Sequence, residues 1–194
     1  MSPVGRAVKR GLDVVVSATA LAAGWPVLAA IAILIRRESP GPAIFRQERA
    51  GRHMKPFTMY KFRTMRVGGD LFGASPASPE DPRLTPVGRR LRESSLDELP
   101  QLWNVLRGDM SLVGPRPLYM SQAREFTERE RRRLEVRPGL TGLAQTQGRG
   151  EIPHKEKLEI DVQYVERQSL GLDLAILWRS FAHLLVRKDV YQKW

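Results

Sequence analysis

Residues 92–117 read RESSLDELPQLWNVLRGDMSLVGPRP, and the rest of the chain is organised around them. Two adjacent carboxylates, Asp97 and Glu98, follow two serines and precede a run of helical periodicity from Leu99 to Leu106. Serines followed by acids are helix-start chemistry, and Ser95 with Glu98 fits a capping box. Pro100 is comfortable in a first helical turn, which makes Asp97 an alternative cap. In either case the acids sit where unpaired backbone N–H groups favour negative charge, a place equally suited to a phosphate. Gly108 is the expected stop. Neighbouring helical residues point about 100° apart, so Asp97 and Glu98 are expected to have separate jobs. Capping alone is the plain alternative for both.

The arginines around the pair argue for more than capping. Arg92 lies just before it, and Arg116 stands between Pro115 and Pro117 in a stiffened Gly-Pro-Arg-Pro segment. A guanidinium held in place suits bidentate binding of phosphate. Upstream, 43–47 and 56–61 read as short strands around a polar, basic stretch from Arg49 to Lys55, a hairpin pattern. Lys61 and Arg63 on its second arm face either phosphate or solvent. Residues 67–86 are rich in Gly, Ser, Pro and Asp and read as a loop.

Further out, 121–135 is highly charged and is expected to be an exposed helix face. The glycine-rich stretch 137–149 would let backbone approach a ligand closely, yet it is neither a Walker loop nor a dinucleotide fingerprint. Residues 155–166 read as a helix. The segment 170–186 is mostly apolar but carries Asp173, Arg179 and His183, with Trp178 among them. It fits either an interfacial membrane helix or a core helix.

Near the N-terminus, Val14 to Ile35 is an uncharged run of 22 residues, long enough to cross a bilayer. No convincing cleavage site follows it, so a removed signal peptide is not expected. Gly24-Trp25-Pro26 interrupts it, and Arg6, Lys9 and Arg10 on one side face Arg36 and Arg37 on the other. Basic residues at both ends favour both on the cytoplasmic side. A helix that turns at Pro26 and returns would satisfy this; a kinked spanning helix is the alternative.

Composition narrows the function classes. The 194 residues suffice for one domain with an appendage. The net charge is +11, carried by 25 arginines and only 7 lysines. That balance suits nucleic acid, an anionic membrane face or phosphorylated substrates. No nucleic-acid-binding signature accompanies it, and nucleic acid is not an expected partner. The absence of cysteine excludes disulfides and thiol catalysis. His53, His154 and His183 are too scattered to read as a metal site.

Five motifs occur in one order: Lys9-Arg10-x-x-Asp13-x-x-x-Ser17, then 60–65 (YKFRTM), 95–101 (SLDELPQ), 110–117 (MSLVGPRP) and 137–142 (RPGLTG). With them the chain resembles the bacterial sugar transferases, the monotopic phosphoglycosyl transferases, from about Lys9 to the C-terminus. The resemblance implies an α+β fold with a re-entrant membrane helix over 1–37 and a catalytic part over 38–194. That part would hold interfacial amphipathic helices and a small cytosolic α/β portion with a short β-hairpin. The chain looks like a minimal catalytic form.

The resemblance also implies roles. Asp97 would be the nucleophile and a Mg²⁺ ligand, with Glu98 completing the dyad. Arg92, Arg116 and Arg149 would bind phosphate, and Pro26 would mark the membrane-helix break. The implied donor is a UDP-sugar and the acceptor a polyprenol phosphate, undecaprenyl phosphate in bacteria. The enzyme would sit against anionic headgroups on the cytoplasmic face of the inner membrane. One departure is plain: many members have Ser-Pro at the break, where this chain has Trp25-Pro26, so a serine hydroxyl is not there to satisfy a freed carbonyl.

Overall fold

A computed structural model describes residues 1–67, 76, 78–148 and 152–186. It opens with α1, Pro3–Glu38, capped by the Ser2 hydroxyl and followed by the hairpin β1 (Ile44–Ala50) and β2 (Pro56–Phe62). The hairpin is antiparallel, with Ile44 opposite Phe62 and Ala50 opposite Pro56. The first strand therefore extends three residues beyond its apolar pattern, into the stretch expected to be loop. The connection is a single 3₁₀ turn, Arg52–Met54, in which His53 and Met54 have positive φ.

Next come α2 (Pro86–Glu93) and α3 (Gln101–Arg107), joined through a 3₁₀ turn at Leu96–Glu98. Gly108 ends α3 in the left-handed region, as the sequence predicts. The capping box expected at Ser95 does not form. Ser95 itself is left-handed with φ 57°, its side chain caps nothing, and the cap position of α3 falls to Pro100. A serine at positive φ turns the chain out of α2, and the two acids then occupy the tight turn rather than the first turn of a helix.

The short strands β3 (Ser111–Val113) and β4 (Gly139–Thr141) pair in parallel. Between them the charged stretch is not one exposed helix. It divides into α4 (Met120–Arg124), α5 (Glu128–Arg131) and a 3₁₀ turn Arg132–Glu135, with Thr127 and Glu130 forming a capping box at the break. Arg133, inside that charge run, is buried and ion-paired with buried Asp161. The chain closes with α6 (Leu143–Gly148), α7 (His154–Arg167) and α8 (Leu170–Val186).

The main core gathers Leu102 and Val105 of α3, Leu112 and Val113 of β3, Ile160 and Tyr164 of α7 and Ile176 of α8. A second cluster joins Ile31 and Ile35 of α1 to Phe62 and Leu91. Helix α1 is thus attached at two places. Near its start, Lys9 bonds Asp173 at 2.7 Å and the Val113 carbonyl at 3.0 Å, while Arg10 donates to the last carbonyls of α3, Val105 and Leu106. Asp13 is buried and accepts from Leu112 N and Ser111 Oγ.

Helix α1 is long and apolar enough to cross a membrane, and only 11% of its most apolar window is buried. It is helical through Pro26, so the expected break is not a gap in the helix. Trp25 points outward, 66% exposed. In α8, Asp173 and Ile176 face the core, as the core-helix reading expects, while Leu174, Trp178 and Phe181 are exposed.

Candidate active site

The turn carrying Asp97 and Glu98 faces β2 and the 114–117 corner. Lys61 Nζ lies 2.7 Å from Glu98 Oε1, and Arg116 Nη2 lies 3.0 Å from the same oxygen. Lys61 lies two residues beyond buried Met59 and so shares its face of β2, while Asn104 holds the strand against α3. Buried Asn104 accepts from Tyr60 N at 3.1 Å and donates to the Thr58 carbonyl at 2.7 Å, acting as a strand partner supplied by a helix. Arg63 does not join the site. It is buried, and its guanidinium donates to the Ser39 and Pro40 carbonyls beyond α1.

Arg116 is placed by glycines. Gly114 N donates to the Thr141 carbonyl and Gly139 N to the Pro115 carbonyl. A methyl group at Gly114 would overlap the Arg137 carbonyl, one at Gly139 the Gly114 nitrogen, and one at Gly142 the Gly114 carbonyl. The close approach that the 137–142 glycines permit is therefore to the chain's own Gly-Pro-Arg-Pro segment. That corrects the expectation of a ligand-facing loop.

The two acids differ electrostatically, as their adjacency predicts. Asp97 is buried, and desolvation pushes its carboxyl up to about 6, against the lowering charges of Lys61, Arg92 and Arg116. Burial also opposes ionisation of Glu98, but Lys61 and Arg116, by charge and hydrogen bonds, outweigh it and hold Glu98 well below the usual carboxylate range. Glu98 is thus a fixed anion that orders two cations, and Asp97 is a desolvated, more basic carboxylate beside them. The charge of Arg92 reaches Asp97. Arg149 lies outside the described residues.

Sequence reasoning missed two groups near Arg116. Arg49 of β1 stacks on the Tyr119 ring at 3.6 Å, and burial foremost lowers its guanidinium to about 10. Arg133 donates to the Arg116 carbonyl at 2.8 Å from its pair with Asp161. Both were hidden inside charged stretches where only burial distinguishes one arginine from another.

Among the described residues no group of three or more His, Asp or Glu side chains is arranged to hold a metal. Asp97 is the carboxylate that would hold a Mg²⁺ ion here. Such ions are held by one or two carboxylates plus substrate phosphate oxygens, and a carboxylate made costly by burial gains most from a cation.

The bacterial sugar transferase family matches residues 4–187. The "Uncharacterized sugar transferase EpsL" of Bacillus subtilis is 48% identical over 86% of this chain and 81% of its own length. A "UDP-glucose:undecaprenyl-phosphate glucose-1-phosphate transferase" of Caulobacter vibrioides is 44% identical over 94% of this chain and 72% of its own. The protein of that name from Escherichia coli is 42% identical over 98% of this chain, which spans only 43% of its length. A match over almost every described element, including the acidic turn, the hairpin and the Gly-Pro-Arg-Pro corner, leads to one conclusion: the chain belongs to the bacterial sugar transferase family.

Proposed function

We propose that the protein transfers a sugar 1-phosphate from a UDP-sugar to undecaprenyl phosphate and releases UMP. This would be a first membrane step in making a bacterial glycoconjugate or polysaccharide. The names of the relatives support the donor and acceptor classes. The observation that carries the chemistry is the division of labour in the dyad: Glu98 holds Lys61 and Arg116, and buried Asp97 is left as the basic carboxylate.

In the first step a carboxylate oxygen of Asp97 attacks the β-phosphorus of the donor. The bond from that phosphorus to the bridging oxygen breaks, and UMP leaves with the electron pair. The product is an aspartyl-phosphosugar. In the second step an oxygen of undecaprenyl phosphate attacks the same phosphorus, the bond to Asp97 breaks, and the carboxylate is regenerated.

Lys61, Arg92 and Arg116 offset the repulsion between the carboxylate and the diphosphate. Bound Mg²⁺, held by Asp97, would add charge neutralisation on the phosphate oxygens. Glu98, strongly acidic in this setting, is a weak proton acceptor; its role is to orient Lys61 and Arg116.

The two-point attachment of α1 supports placement in a single leaflet. Asp13 and Ser17 near its start and Ile31 and Ile35 near its end are buried against the same body. Only about 13 residues lie between, or roughly 20 Å of helix, less than the roughly 30 Å hydrocarbon core. Attachment of both ends to one body favours a helix that stays on one side of the membrane, with Pro26 the place where this continuous helix would bend in the bilayer and the exposed apolar face of α8 lying in the interface on the cytoplasmic side of the inner membrane. Anionic headgroups would hold the basic surface there.

The test is intact-mass measurement of the enzyme incubated with a UDP-sugar, Mg²⁺ and no lipid. The expected result is release of UMP and a mass increase of one sugar phosphate on Asp97. An unmodified protein that still turns over in the presence of lipid would defeat the covalent route.

A further inference from the structure

Helix α7 approaches Arg116 with a cation of its own. Lys157 and Asp161 are four residues apart and so share one face of the helix. Asp161 is buried and bound to Arg133, whose Nη2 reaches the Arg116 carbonyl. Lys157 stands one turn earlier on that face, close enough to this corner for the charge of Arg116 to act on it.

Among the described residues Lys157 forms no ion pair, although it is half-buried. The nearby acids are already engaged: Glu98 by Lys61 and Arg116, and Asp161 by Arg133. Burial and the Arg116 charge both hold the Lys157 ammonium below the ordinary lysine range. His154, one turn before it, is lowered by burial first, then by Arg133 and Lys157, which together outweigh the raising charges of Glu130 and Asp161. Arg49, on the other side, is lowered by burial and also feels Arg116. At this corner Arg49, Arg116, Arg133 and Lys157 outnumber the acids Glu98 and Asp161 that pair with them, and an anion entering beside Lys157 and Arg116 offsets the excess positive charge.

We propose that Lys157 and Arg116 together bind a substrate phosphate, so that α7 is a wall of the active site. The inference rests on the phosphoglycosyl-transfer reading above and adds to it a group from a third part of the chain. The shared chemistry is a phosphate oxygen; its source is the donor diphosphate or the polyprenol phosphate.

Lys157→Met and Lys157→Arg, beside the unsubstituted protein, test it. Donor dependence is read from the single-turnover release of UMP without lipid, and acceptor dependence from steady-state KM for undecaprenyl phosphate. If the donor phosphate is bound, Lys157→Met needs about tenfold more UDP-sugar in the first assay. If the acceptor phosphate is bound, that assay is unchanged and the acceptor KM rises by a similar factor. Lys157→Arg restores most of either loss, and the Tm of Lys157→Met is equal to or above that of the unsubstituted protein, since an uncompensated charge has been removed. Unchanged donor and acceptor dependence in Lys157→Met overturns the proposal, as does a fall in Tm with no rescue by arginine. Failure of the unsubstituted protein to release UMP overturns the underlying reaction instead, and the proposal with it.

Discussion

Lys61 of the hairpin and Glu98 of the acidic turn meet at 2.7 Å, tying the second strand to a turn 37 residues later. The lysine also lowers the carboxyl of Asp97, whose dominant perturbation is burial. Removing it acts on both acids at once.

Lys61→Met is therefore expected to move the acid limb of the pH–rate profile upward. With Lys61 present, metal-free Asp97 takes up a proton as the pH drops through about 6 and ceases to be a nucleophile, so kcat/KM should fall at or below that pH, lower the more tightly Mg²⁺ holds the carboxylate. Without the ammonium that midpoint rises. A pH profile of UMP release checks it, and an unmoved limb would mean that another group controls ionisation.

Asp97→Asn is expected to abolish turnover while leaving the fold intact. The sign of the stability effect follows from the raised carboxyl. A group whose folded pKa lies above its unfolded value of 3.8 favours the folded state when protonated. That contribution fades as the pH rises from about 4 through 6. Asp97→Asn removes the titration, so its stability should lose this pH dependence and equal or exceed that of the parent at pH 8, by on the order of 1–3 kcal/mol. Denaturation at pH 4, 6 and 8 reads it directly.

Gly114→Ala is expected to cost more than about 2 kcal/mol and to cut donor handling, because its methyl would meet the Arg137 carbonyl and push the segment carrying Arg116 off β4. Gly11→Ala is the control. It lies in α1 with nothing near its added methyl, and should stabilise by up to about 1 kcal/mol through helix propensity. Thermal midpoints of the two variants should move in opposite directions.

Asp13→Ala should detach the start of α1. Leu112 N and Ser111 Oγ would lose their shared acceptor in a buried place, at a cost of about 2–4 kcal/mol. A lowered Tm in detergent is the expected outcome.

The position of α1 in the bilayer is open to a direct measurement because the chain contains no cysteine. Single cysteines at the exposed positions Ser2 and Pro42 should both react with an impermeant thiol reagent from the cytoplasmic side only. Labelling of either from the opposite side would replace the re-entrant arrangement with a spanning one.

Much of the site was legible because it is local. The hairpin follows from alternation, α3 from apolar spacing and its stop from Gly108. The capping reading of Ser95 failed because a left-handed serine is decided by where α2 must hand over to the acidic turn, which no local pattern records. The run 121–135 was misread for a related reason. Its arginines look alike in sequence, and only the approach of α7 makes Arg133 a core residue.

By itself the sequence determined the chemistry available: an adjacent acid pair, arginines stiffened by proline, an apolar N-terminal segment and no thiols. Residue type and near-neighbour spacing suffice for that. Only the tertiary structure decided which acid carries the cations, which glycines press backbone on backbone, and that both ends of α1 rest on one body. Those outcomes depend on burial and on contacts between segments tens of residues apart, where desolvation and charge act through space rather than along the chain.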